Sequence, residues 1–127
     1  ANFIGRANFI PGVVQEQGGG DVIVSSLGKT LRLTNVQRKL QGHEEVSLIV
    51  RPEMVRIKKT GELFSGVIRR SVYLGDVIEY DLAVGDQLIT GLETDPYVTQ
   101  LFSEGEAVSV GFAEGCIQVL PIEKKHA

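Results

Sequence analysis

From Val13 to Leu120 the chain repeats one pattern, short runs of alternating apolar and polar residues set apart by glycine-bearing turns. Runs of this length, with turn signals every roughly 8 to 12 residues, describe an antiparallel barrel or sandwich, because successive side chains of a strand face opposite sides and one side is buried. Helix signals are scarce. Gly18-Gly19-Gly20-Asp21 separates Val13-Val14 from Val22-Ile23-Val24, and Gly28-Lys29 is read as a two-residue hairpin turn into Thr30-Leu31-Arg32-Leu33. Glu45 to Val50 alternates next, and Pro52 is expected to end its ladder, since proline donates no backbone hydrogen bond.

Beyond Pro52, Val55 to Lys58 forms one strand and Phe64 to Tyr73 another, with Gly66 as a bulge or close-packing point. Gly75-Asp76 and Gly85-Asp86 turn the chain between Phe64–Tyr73, Val77–Leu82 and Gln87–Thr90, the clearest hairpins in the sequence. Asp95-Pro96 interrupts the pattern, Gly105-Glu106 introduces Val108 to Phe112, and Glu114-Gly115 turns it into Ile117 to Leu120. Two blocks of strands flanking Arg51-Pro52 therefore suggest a pair of small OB-like barrels in an all-β fold.

A chain of 127 residues with 43% apolar content suits one domain with a core that needs no metal or disulfide framework. Cys116 is the only cysteine and lies in an alternating run, where a buried thiol packs as a small hydrophobe. The net charge of −3 argues against a broad nucleic-acid or anionic-membrane surface, which requires clustered Lys and Arg. Proteins are the expected partners. No apolar run approaches the ~18 residues that span a bilayer, and no leader of the secretory kind is legible.

Motifs that suggest chemistry fail on inspection. Gly28-Lys29-Thr30 resembles the end of a phosphate loop, but Ile23 stands where its glycine is required and a strand follows instead of a helix. His43-Glu44-Glu45 lacks the second histidine of a zinc protease, because Ser47 occupies that position. With His43 and His126 as the only histidines, no tetrahedral metal cage can be assembled; Glu93, Asp95, Glu104 and Glu106 are either a carboxylate site for a hard cation or, the commoner case, a solvated loop rim. No nucleophile has a base and an orienting group nearby, so neither catalytic nor metal residues are assigned.

Two charged pairs remain as candidates for partner or anion contact. Arg69 and Arg70 are neighbours on a strand, so alternation sends one of them toward the barrel interior or a partner. That residue either pairs with a carboxylate such as Glu79 or Asp81, or grips an anion or partner protein through its guanidinium fork. Arg51 and Glu53 bracket Pro52 and are expected to pin the junction between the strand blocks, or to meet a partner. At the start, the echo Ala1-Asn2-Phe3-Ile4 and Ala7-Asn8-Phe9-Ile10 carries four large apolar residues; Phe3, Ile4, Phe9 and Ile10 must pack either on this barrel or on another domain.

The ordered segments VSLIVRPEMVRI, FSGVIRRSVYLGDVIEYDLAVGDQLI and EGEAVSVGFAEGCIQVL, preceded by ANFIGRANFIPG, resemble the TOBE domain, the C-terminal accessory domain of ATP-binding subunits in bacterial ABC importers of the maltose, polyamine and ferric-iron classes. The resemblance implies that the last strand rejoins the first block. It divides the chain into a linker from an ATPase domain at 1–12, a first block at 13–50 plus 117–121, and a second block at 52–115. It also favours excision from a longer protein over removal of an initiator, since the chain opens on Ala1 and its single methionine is Met54.

The resemblance further implies a regulatory and dimerisation domain that is not itself an enzyme, with no Walker A, Walker B or signature motif. ATP and Mg would be bound only by the missing ATPase domain. The partners implied are that domain, a second copy in a homodimer, the transmembrane subunits of the importer and a small-molecule or protein regulator, at the cytoplasmic side of the inner membrane. A polyamine or ferric iron is the implied solute. The alternatives are a small-molecule or oxyanion binding module and, last, an OB-type nucleic-acid binder, which would need aromatic platforms in a basic groove.

Overall fold

The computed structural model describes residues 6–34, 36, 38–97, 101–113 and 115–122. Ten strands follow one another: β1 Asn8–Gly18, β2 Asp21–Ser26, β3 Lys29–Leu33, β4 Glu45–Val50, β5 Val55–Lys58, β6 Phe64–Tyr73, β7 Ile78–Val84, β8 Gln87–Glu93, β9 Ala107–Phe112 and β10 Gln118–Pro121. A single turn of 3-10 helix, Pro52–Met54, lies between β4 and β5. The strands form two five-stranded antiparallel sheets, ordered β10-β4-β1-β2-β3 and β5-β9-β6-β7-β8.

The chain changes sheets at Pro52. Strand β4 ends at Val50, the 3-10 turn carries the buried Pro52, and β5 starts the second lobe at Val55. The last strand returns to the first lobe, where Val119 pairs with Leu48 and Leu120 with Ser47.

Strand β1 opens at Asn8, inside the segment 1–12 expected to be a linker, and Phe9, Ile10, Pro11 and Gly12 all pair with β4. Pro11 is tolerated because its carbonyl oxygen points to the β2 side, where the Ser26 hydroxyl donates to it at 2.7 Å. Its missing N–H points the same way and removes nothing from the β1–β4 ladder. The first hairpin turn also differs by one residue: Leu27 (φ 51°) and Gly28 (φ 79°) are its central pair and Lys29 already belongs to β3. Left-handed φ at both central positions is the requirement of a type I′ turn, whose hand matches the twist of the strands.

Alternation sends Ile10, Val14, Val24, Val46, Leu48 and Val119 inward from the first sheet, and Phe64, Ile68, Tyr80, Leu82, Ile89 and Val110 inward from the second. These side chains form one continuous cluster. The second sheet curls until its two edge strands meet. At Gly91 of β8 an added Cβ would lie 3.1 Å from Cδ1 of Ile57 and 3.2 Å from Cγ1 of Val55, both on β5, so a side chain there would crowd the seam. Curling of this kind removes exposed strand edges.

Candidate interaction surface

Sheet register assembles an apolar patch on the outer face of the first sheet. Phe9 lies opposite Ile49, which lies opposite Gln118; one row along, Pro11 lies opposite Ser47, which lies opposite Leu120. Val13 lies opposite Glu45, whose carbonyl oxygen accepts the Ile122 amide at 3.2 Å. Phe9 is 64% exposed, Ile122 45% and Leu120 41%, while Ile49 and Val13 are half-buried. Three strands at ~4.8 Å spacing and three rows at ~6.8 Å give a face of roughly 300 Å², in which the apolar residues are interspersed with Gln118, Ser47 and Glu45. Of the four apolar residues singled out at the start of the chain, Ile10 is buried in this barrel and Phe9 faces outward. Phe3 and Ile4 lie outside the described residues.

The two sheets are tied together beside this patch by a residue the sequence did not mark. Asn8 is 8% exposed. Its carboxamide nitrogen donates to the carbonyl oxygens of Val50 at 3.1 Å and Thr90 at 2.8 Å, and its Oδ1 accepts the Thr90 amide at 2.8 Å. The side chain thus acts as one peptide unit added to the edge of β8. Its echo, Ala7-Asn8, stands in a segment without alternation, which left no pattern from which a buried polar role could be read.

The arginine pair does not behave as strict alternation predicts. A β-bulge between Ile68 and Arg70 shifts the register, and Arg69 and Arg70 are both exposed, so neither enters the barrel. Arg70 lies opposite Asp81, donates from Nε to its Oδ2 at 2.7 Å, and pairs through Nη2 with Glu79, whose side chain is only 7% exposed. The Thr90 hydroxyl donates to the other Asp81 oxygen at 3.1 Å. The hydrogen bonds it donates to Asp81 and then Glu79 hold the guanidinium more firmly charged than usual. With both arms of Arg70 engaged, the pair offers an anion the Arg69 guanidinium alone.

Arg51 and Glu53 both face solvent at the 3-10 turn. The turn is fixed by backbone: Met54 donates to the Arg51 carbonyl and accepts from the Ala113 amide, each at 2.9 Å. Tyr73-Leu74-Gly75 makes the β6–β7 turn, with Leu74 donating to the Val77 carbonyl at 2.8 Å and the Tyr73 hydroxyl 2.9 Å from that of Tyr97. Around the acidic rim, Glu93 accepts the Asp95 amide at 3.0 Å, Glu104 the Ser71 amide at 3.2 Å and Glu106 the Ser103 amide at 3.0 Å. Among the described residues no group of His, Cys, Asp or Glu could hold a metal ion, and no helix is long and apolar enough to cross a membrane.

A family profile described as the TOBE domain matches residues 48–120, from within β4 through the whole second lobe to β10. Among curated proteins, the chain is 32% identical over 117 residues to the Fe(3+) ions import ATP-binding protein FbpC of Brucella suis, covering 88% of this chain and 31% of that protein. It is 33% identical over 125 residues to the spermidine/putrescine import ATP-binding protein PotA of Rubrobacter xylanophilus, covering 92% of this chain and 32% of that protein. The chain therefore spans about a third of the length of these relatives. A solved structure of the cytoplasmic molybdate-binding protein ModG superposes with a TM-score of 0.70 at 20% identity, covering 88% of this chain and 94% of that one. This likeness speaks to the fold, an OB-like pair of curled antiparallel sheets.

Proposed function

The chain belongs to the TOBE domain family, and on that premise we propose that it is the non-catalytic regulatory and dimerisation domain of the ATP-binding subunit of a bacterial importer. The relatives it matches are ATP-binding proteins for import of ferric iron or of spermidine and putrescine, and solutes of those two classes are the proposed cargo of the parent. ATP and Mg would be handled by the remaining two-thirds of such a subunit, on the cytoplasmic side and against the transmembrane subunits.

The observation that carries this reading is the outer patch of Phe9, Pro11, Ile49, Leu120 and Ile122. An exposed sheet face rich in apolar residues is suited to a protein contact. At roughly 300 Å² it falls short of the ~800 Å² per partner of a stable interface. Contact through it is accordingly weak for the free domain and effective when the domains are joined to engines that already meet, since a tether raises the local concentration of the second partner. The oxyanion reading has less behind it, because Arg70 is already committed to Glu79 and Asp81.

Sedimentation equilibrium of this chain tests the proposal. The expected result is a concentration-dependent monomer–dimer equilibrium that Phe9→Asp and Leu120→Asp each shift to monomer. A strict monomer at every concentration would remove self-association from the reading and leave contact with the ATPase region as the use of the patch.

A further inference from the structure

We propose that the cleft between the two lobes is a binding site for a primary aliphatic amine, with the Glu62 carboxylate as the group that receives the ammonium. The cleft holds about 450 Å³ and is walled by Leu31 and Leu33 of β3 on one side and by Leu63, Phe64 and Phe112 of the second lobe on the other. That volume lies within the ~300–1,000 Å³ of small-molecule sites, which are mostly apolar with a few placed polar groups. Its walls belong to different sheets, so a bound molecule touches both lobes at once.

Glu62 supplies the placed polar group. Its side chain is 12% exposed although it carries a charge, and its own amide donates to the Ser109 hydroxyl at 2.7 Å, which fixes the residue against β9. The carboxylate sits where it does because Gly111 faces it: an added Cβ there would run into Glu62 Oε1. A side chain at position 111 would therefore displace the carboxylate from its present place. The present partner of Glu62 is the Lys58 ammonium at 3.1 Å, on a side chain that is 57% exposed. Only the lysine end of this pair is exposed; there the side chain gives up freedom for a contact partly screened by water. Another ammonium carrying an alkyl chain can take its place and gain apolar burial along Leu31, Leu33 and Leu63.

Charge on the opposite wall agrees with a cation. Arg32 reaches away to Asp21, donating from Nη2 at 2.7 Å and Nε at 3.1 Å, so its guanidinium is partly engaged outside the cleft. The ligand class rests on the Glu62 carboxylate and the apolar walls: an amine head on an aliphatic body, in preference to a carboxylate, phosphate or metal oxyanion. The site is argued from residues alone; its use as an effector site, through the hold on both lobes, rests on the regulatory reading above.

Titration of the isotopically labelled chain at neutral pH with n-hexylamine, n-hexanol and hexanoate, followed by amide chemical shifts, decides the matter. Hexylammonium is expected to move amides of residues 31–33, 62–64 and 111–113 with affinity at least tenfold above hexanol and hexanoate. Glu62→Gln is expected to remove that tenfold preference, and Gly111→Ala to do the same by displacing the carboxylate. Lys58→Met removes the competing ammonium and is expected to tighten hexylammonium several-fold. No shift in these amides at millimolar amine, equal binding of hexanoate, or a Glu62→Gln variant that binds the amine as tightly as the natural chain would each overturn the site. None of these outcomes bears on self-association, so this inference and the tether fail separately.

Discussion

Single residues divide into those whose role is legible from pattern and those whose role depends on a neighbour distant in sequence. Val24, Leu48 and Leu82 are fully buried where alternation places them. Asn8 is the opposite case, because its three hydrogen bonds go to Val50 and Thr90, far along the chain and partly on another sheet. Asn8→Ala leaves the Thr90 amide and carbonyl without their partner and is expected to cost about 2 kcal/mol, read as a lower urea midpoint with an unchanged slope. Asn8→Asp is expected to cost stability as well, since a carboxylate donates to neither carbonyl. Cys116 gives a prediction of another kind. Burial pushes its thiol above the usual value, so less thiolate is present at any given pH. Alkylation by iodoacetamide at pH 8 is expected to run slower than for an unfolded peptide containing the same residue, and to accelerate on denaturation.

Strand identities and most turns can be read from local residues, whereas bulges cannot. Gly85-Asp86 and the 3-10 turn at Pro52 stand where the sequence puts them, because glycine and proline state their backbone needs locally. The bulge beside Arg70 is a property of how β6 and β7 pair, and it defeats the inference that one arginine must turn inward. Its product is an arrangement in which one guanidinium serves two carboxylates on the same face of β7. Arg70→Ala leaves the buried Glu79 next to Asp81 with no cation between them. Stability is then expected to fall, and Arg70→Lys, which restores a cation without the fork, to recover part of it. Comparing thermal midpoints of the three proteins checks this; equal deficits for the two variants would show that the charge of the arginine contributes nothing.

At the scale of the molecule, the two lobes share one core, and the chain passes between them twice, since β10 returns to β4 after the second lobe is complete. The lobes are therefore expected to unfold together. The three tyrosines, Tyr73, Tyr80 and Tyr97, all belong to the second lobe, so tyrosine fluorescence reports that lobe while far-ultraviolet circular dichroism reports both. Coincident urea transitions are the expected result, and a tyrosine transition separated from the dichroism one would show two units. The two-block plan was legible in the sequence; the shared core was not, because periodicity tells which side of a strand is apolar and not what lies against it. The placement of β1 has a mechanical side. It is the central strand of its sheet, held by β4 over residues 8 to 13 and by β2 over residues 13 to 18, whereas β10 is an edge strand paired over four residues. A pull along the chain at Asn8 loads two ladders in shear and the Asn8–Thr90 fastening besides, while a pull at Pro121 peels one short edge. Force entering from the amino-terminal side is transmitted to both lobes before anything yields, and force from the other end detaches a single strand.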